Sequence, residues 1–292
     1  NYKDSYNNIL SKLIKHVGIV LQSLQKSNFV ISNQERQIVK NYYNDLMNTY
    51  KFSAPMNVTL ELKHVVQYDY ADYQNILSIR RNYSVTEKAD GERNLLIVLE
   101  DDSVYLLNRK NEIKSYGCKL PGLAGTLLDG ELITKDKDNN NINLFAVFDI
   151  YVYKKEDLRD RILNRTEKDK KDGILLESRY EILSSMMDTL TVVPNSKSDT
   201  IMIIKKKYFF GDMVTYNKDI DDEITRQKQV LLTLDNDSKE YKDIVELIKN
   251  YSSDTKIFEE AKKVYNKEYI YHIDGLVFTP VKLIIGDEQD GK

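Results

Sequence analysis

No tryptophan occurs in these 292 residues, and cysteine occurs once, as Cys118. A single cysteine excludes an internal disulfide and a thiolate-rich zinc site, and it is compatible with a reducing compartment. No apolar run approaches the roughly 18 residues that a membrane-spanning helix needs, and no signal-peptide pattern is present. The four prolines and eleven glycines gather into no long Pro/Gly/Ser linker, and no internal repeat is visible. Excess charge of one sign is missing too: 43 Lys and Arg face 46 Asp and Glu, for a net charge of −3. A global polybasic field for nucleic acid is therefore excluded, and any RNA path must be a local patch. Lys205-Lys206-Lys207 and Lys168-Asp169-Lys170-Lys171 are the candidates, each against the plainer reading of a solvated face. What remains is a hydrophobic content of 41%, ordinary for a globular protein, in a chain long enough for one substantial core or two small ones. The chain begins with Asn rather than Met and reads as a segment cut from something longer.

The most informative stretch is Lys88-Ala89-Asp90-Gly91-Glu92-Arg93, a K-x-D-G-x-R string between two expected strands, Tyr83 to Glu87 and Asn94 to Leu99. Its spacing suggests a nucleophilic lysine, with Gly91 letting the backbone turn and approach a phosphate. A lysine amine ordinarily titrates near about 10.4, so such a nucleophile depends on nearby cations, a metal or desolvation. Alone, the string reads rather as a polar strand-turn-strand on a surface, and its companions decide the matter. Thr126 to Ile133 encloses a D-G-E core, Asp129-Gly130-Glu131, within apolar residues. It is either a buried strand carrying two acids or a tight turn at Asp129-Gly130. Leu144 to Ile150 reads as a central strand ending in Phe148-Asp149, with Phe148 either core or a stacking platform. Asp274-Gly275 opens the strand Leu276 to Thr279, and nearby His272 reads as a packed or surface residue rather than a metal ligand.

Taken in order, K-x-D-G-x-R, D-G-E, F-D and D-G-L-V-F resemble the covalent nucleotidyltransferase superfamily of polynucleotide ligases and mRNA capping guanylyltransferases. The D-G-L-V-F-x-P form is similar to the capping branch, as are Pro55 to Leu60 ahead of the first motif and Lys207-Tyr208-Phe209-Phe210 between the third and fourth. The resemblance covers about residues 55 to 283. It implies an α+β nucleotidyltransferase fold built on antiparallel sheets with flanking helices, without the family's C-terminal OB-fold domain.

The resemblance further implies that Lys88 attacks the α-phosphorus of GTP, giving a lysyl-GMP that is transferred to the 5′-diphosphate end of RNA. Lys88, Asp90 and Arg93 form the catalytic motif, with Arg93 expected on the ribose. Glu87, Arg109, Glu131, Phe148, Lys207 and Asp274 are the remaining nucleotide-binding positions. Phe148 stacks on the base, Lys207 donates to guanine O6, and Glu131 and Asp274 supply hard oxygen ligands for Mg²⁺ or Mn²⁺. Arg109 reads either as a ribose or phosphate contact or as a surface salt-bridge partner. The family's downstream lysine pair would fall beyond Lys292, and Lys282 lies too close to Asp274 to replace it, so this chain alone is expected to bind GTP yet guanylylate its lysine weakly. Implied partners are GTP, an RNA 5′ end, the OB-fold and triphosphatase or methyltransferase modules of one polypeptide, with no membrane. The competing readings are an ATP-dependent DNA or RNA ligase adenylation domain and a catalytically silent RNA-binding or scaffold domain. Abundant Asn, Lys, Ile and Tyr fit an AT-rich genome, and with the resemblance they suggest a large DNA virus or cytoplasmic element acting in the viral factory, the virion or the host cytoplasm.

Helical spacing of Ile9, Leu10, Leu13, Ile14, Val17, Val20, Leu21 and Leu24 predicts an amphipathic helix over 1–24 that packs on the catalytic domain or a neighbour. Further helices are expected over 34–50, 155–165, 178–190, 238–249 and 256–267. This gives an N-terminal helical segment, 1–52, and a nucleotidyltransferase domain, 53–292, with a helical lid or insertion within 212–268.

Overall fold

The structure, a computed structural model, describes residues 2–25, 27, 29–49, 51–65, 78–80, 82–165, 169–170, 173, 176–194, 200–211, 226–251 and 256–285. In chain order the described elements are α1 (Tyr2–Gln25), α2 (Asn33–Met47), β1 (Tyr83–Ala89), β2 (Glu92–Val98), β3 (Ser103–Asn108), β4 (Ile113–Lys119), β5 (Leu127–Lys135) and β6 (Asn141–Tyr153). They continue with β7 (Glu156–Asp157), α3 (Arg179–Asp188), β8 (Val193–Pro194), β9 (Met202–Lys205), β10 (Phe209–Phe210), α4 (Lys239–Tyr251), α5 (Lys256–Tyr265) and β11 (Ile273–Pro280). The fold is mixed α and β on antiparallel sheets, as expected, with a single parallel pairing, β6 with β9, among the described residues.

Eight strands form one sheet in the order β7-β6-β5-β2-β3-β4-β8, with β9 also on β6, and three form a second in the order β10-β1-β11. Strand periodicity decides what covers each face of the large sheet. Leu96, Val98, Leu106 and Leu128 face α3 through Ile182, Leu183 and Met186. The alternate residues Leu95, Ile97, Tyr105 and Leu107 face α2 through Val39, Tyr43 and Met47. Both helices begin with a reciprocal capping box, Ser32 with Glu35 and Ser178 with Glu181, which satisfies backbone donors that a helix start leaves open. In the small sheet Val85 packs on Ile257, Ala261 and Val264 of α5.

The helices expected over 34–50, 178–190, 238–249 and 256–267 correspond to α2, α3, α4 and α5. The one expected over 155–165 does not form. Lys154 and Lys155 adopt positive φ, β7 folds back on β6, and Leu158 N donates to Tyr151 O, so pairing with an existing strand overrides the local helical pattern. The α1 helix forms, but its apolar residues do not pack on the body. The proposed lid begins at 212–225, which lies outside the described residues, as do Lys168 and Lys171 of one basic candidate.

The two sheets meet where β1 passes into β2 through Asp90 and Gly91. A Cβ on Gly91 would stand 2.6 Å from Leu132 O and 2.8 Å from Glu131 Cγ, so this glycine is needed because β5 approaches the turn closely. Gly130, in contrast, lies within continuous β5, and the turn reading of Asp129-Gly130 does not hold.

Candidate active site

A cleft of about 520 Å³ opens where the sheets meet, within the size range of small-molecule sites. Lys88, Asp90, Arg93, Arg109, Glu131, Phe148 and Asp274 all line it, together with Pro55, Met56 and Asn57 of the segment ahead of the first motif. Residues spread over more than two hundred positions are thereby brought together by strand register. In β1, Thr86 and Lys88 face the cleft, as does Ala89 beyond a register shift at the strand's end, while Val85 packs under α5 and Glu87 is buried away from the cleft. Antiparallel pairing of β1 with β11 sets Lys88 opposite Gly275 and brings Asp274 Oδ2 to 2.5 Å from Lys88 Nζ. Gly275 has φ 147°, a backbone region in which a side chain would be strained. Both members of the Lys88–Asp274 pair remain about half exposed.

The floor of the cleft is a second ion pair. Arg93 donates from Nε to Asp129 Oδ1 at 3.0 Å, and from Nη2 to Asp129 Oδ2 at 2.5 Å and to the Tyr151 hydroxyl at 3.3 Å. Its Nη1 donates to Pro55 O at 2.5 Å, and Tyr151 in turn donates to Asp129 Oδ2. Burial pushes the Asp129 carboxyl up, and Arg93 and Tyr151 oppose that push; the buried guanidinium is in turn held protonated by Asp129. Arg93 thus faces the cleft but commits all its nitrogens to the protein, clamping the 55–57 segment against β5. The Asp149 carboxylate is engaged likewise by Arg179, at 2.9 and 3.0 Å.

Glu131 carries no hydrogen bond or ion pair among the described residues, and burial pushes its carboxyl up to about 7 despite the nearby Lys206, Arg93 and Lys88. Phe148 is partly buried with its ring on the cleft, 5.4 Å from the Arg93 guanidinium and 5.7 Å from Lys206 Nζ. Arg109 stands exposed on the turn after β3, which Asn108 builds by accepting from the backbone N–H groups of Lys110 and Glu112. No salt bridge engages Arg109 among the described residues, and its exposed side chain stands at the cleft rim.

Two sequence assignments are placed elsewhere. Glu87 is buried away from the cleft, accepting from Thr86 Oγ1 at 2.8 Å and from the Tyr271 hydroxyl at 2.9 Å. Lys207 is exposed over the Phe209 ring, outside the cleft. Within that lysine triplet the one that lines the cleft is Lys206, which sequence reasoning passed over because neighbouring residues of an extended segment point to opposite sides. Lys206 Nζ donates to Glu87 O at 2.5 Å and lies 3.6 Å from Glu87 Oε1. Burial pulls its ammonium down, and Glu87 and Glu131 oppose the shift. The third lysine, Lys205, donates to Ser184 Oγ, so the triplet is no continuous basic face.

No group of three or more metal-ligating side chains converges among the described residues. Glu131 offers an unpaired carboxylate and Asp274 the oxygen not held by Lys88, a donor set suited to Mg²⁺ held chiefly by water and substrate phosphate rather than by a protein cage.

The sequence matches the family model described as mRNA capping enzyme, catalytic domain, over residues 28–227. That span includes every cleft residue named above except Asp274 and its strand. The chain is also 24% identical, over 96% of its length, to a probable mRNA-capping enzyme of Acanthamoeba polyphaga mimivirus, and it spans 22% of that relative's length.

Proposed function

Because the chain belongs to the mRNA capping enzyme catalytic-domain family, a family of nucleotidyltransferases, we propose that its cleft takes GTP and transfers GMP through Lys88 to the 5′-diphosphate end of an RNA. The observation that carries this reading is the position of Lys88 Nζ on the wall of a nucleotide-sized cleft, 2.5 Å from a half-exposed carboxylate.

In the first step Lys88 Nζ forms a bond to the α-phosphorus, the bond from that phosphorus to the α,β-bridging oxygen breaks, and pyrophosphate leaves. Asp274 is placed to receive the proton that Lys88 sheds, and the exposure of both groups lets the pair separate at little cost. In the second step an oxygen of the RNA terminal phosphate attacks the same phosphorus, the P–N bond breaks, and Lys88 is reprotonated. Splitting the transfer lets one cleft serve two substrates in turn. Arg109 at the rim meets phosphate or ribose, and Phe148 offers its ring to the base. Lys206, rather than Lys207, is the ammonium positioned to donate to guanine O6, where adenine carries a competing amino group. Arg93 acts by holding the 55–57 segment and Asp129 in place. A divalent cation bound at Glu131 and Asp274 would neutralise developing phosphate charge. We place the reaction in the cytoplasm, in the setting of a viral factory, with the remaining capping activities on other modules of a longer polypeptide. Among the described residues no helix is long and apolar enough to cross a membrane.

The test is intact mass after incubation with Mg²⁺ and equal GTP and ATP, with Lys88→Ala alongside. A GMP adduct that the variant lacks is expected, at whatever stoichiometry. An AMP adduct moves the assignment to a ligase, and no adduct favours a silent binding domain.

A further inference from the structure

The α1 helix has no role in the cleft and almost none in the core. From residue 5 to residue 24 only Gly18 and Gln22 are even partly buried, yet the apolar side chains along it include Leu13 at 58% exposure, Val20 at 57% and Leu24 at 74%. Its connection to the body is made at one end, where the Gln25 side chain donates to Ile31 O at 3.0 Å and accepts from Ile31 N at 2.9 Å. An isolated helix of this length rich in β-branched residues is marginal in water, so its stability calls for a covering partner.

Three features of α1 specify that partner. Tyr6, Leu10, Leu13, Val17, Val20 and Leu24 repeat at alternating intervals of four and three, the seam of a two-helix coiled coil, and such a seam is complementary to itself. The positions flanking it, Ile9, Ile14, His16 and Leu21 among them, carry no Asp, Glu, Lys or Arg, so like charges do not oppose self-pairing and no charge code selects a different helix. Lys12 and Lys15 lie on the side away from the seam, where they stay solvated. Finally, α1 is about 36 Å long, and a seam of that length lined by large apolar residues from both copies removes on the order of 1,000 Å² from water, the area a specific interface needs. We propose that α1 is a self-association helix through which a second copy of this chain docks, joining two catalytic domains. This inference stands independently of the nucleotide that the cleft takes.

Sedimentation equilibrium of the protein over a wide dilution series tests it. The unaltered chain should show twice the monomer mass at the concentrated end, and the double variant Leu13→Glu/Val17→Glu should be monomeric while its body melts at an unchanged temperature, since α1 lies off the core. Lys15→Glu should remain dimeric. Leu13→Cys should form an intermolecular disulfide on mild oxidation, whereas Ser11→Cys, off the seam, should not; the native Cys118 is buried. A monomer at every concentration, or a dimer that the seam variant leaves intact, overturns the proposal.

Discussion

Two cation–carboxylate contacts of equal length, 2.5 Å, lie in the same cleft and do opposite work. Lys88–Asp274 sits on the small sheet with 46% and 49% of its side chains exposed; Arg93–Asp129 sits on the large sheet with 12% and 0% exposed. Water competes for the first pair, which therefore adds little to stability and can open when a substrate arrives. The second is sealed, and its geometry is completed by Tyr151 and Pro55. Contact distance alone thus does not distinguish the two pairs, whereas exposure does. The large sheet holds the sealed pair at the floor, and the small sheet presents the exposed one, to which the proposed chemistry assigns the exchange of partners.

The sharpest way to break this comparison is Lys88→Ala. It should lower formation of the GMP adduct by at least about a thousandfold while changing stability by no more than about 1 kcal/mol. Adduct mass and a urea melt measure the two quantities, and a large stability loss would mean that the exposed pair is structural. Arg93→Ala is the mirror case. Removing one member of a buried pair leaves Asp129 uncompensated, so stability should fall by roughly 3–5 kcal/mol before any loss of activity is interpreted. Lys206→Ala should behave similarly in kind, because Glu87 then loses its cation, and the nucleotide competition should shift toward ATP in whatever folds.

The floor was only half legible in the sequence: the D-G-E run left Asp129 open between a buried strand and a turn, and Asp149 stood out only as the acid that ends a strand. The partner was not legible. Arg93 was assigned to ribose by motif, yet its nitrogens are occupied by Asp129, Tyr151 and Pro55, a fact set by strand register and side-chain reach rather than by sequence order. The same limit explains Glu87, one residue from Lys88 and on the other face of β1. It also explains the failed helix over 155–165, where β6 offered hydrogen bonds that local propensity could not foresee. The cleft's breadth, from Pro55 to Asp274, was legible only as a list of motifs. Pairing of β1 with β11 is what turns that list into a site.

A smaller effect should separate the sheets by pH. Burial raises Glu131 from about 4.5 to about 7, so between those values the folded protein holds a proton that the unfolded chain has released. Stability from this group is greatest below the unfolded value and declines as pH rises toward 7, by up to about 3 kcal/mol. In chelator-containing buffer, Glu131→Gln in the large sheet should flatten that decline in melts between pH 4.5 and 7. An unchanged slope in Glu131→Gln would place the titrating group elsewhere.

The smallest effect belongs to Lys207. Its ammonium lies 5.1 Å from the Phe209 ring centroid on the exposed side of a segment whose preceding residue enters the cleft. An exposed cation–π contact contributes about 0.5–1 kcal/mol, so Lys207→Ala should cost no more than that and leave the GTP-to-ATP preference of the adduct unchanged. Lys206→Met tested beside it should change the preference. Were Lys207→Ala to relax nucleotide choice instead, the 206–208 segment would have to rotate by one residue when nucleotide binds, exchanging the lysine held over Glu87 for the one now in solvent. Register in an extended segment permits no intermediate arrangement, because each one-residue step moves every side chain to the opposite face.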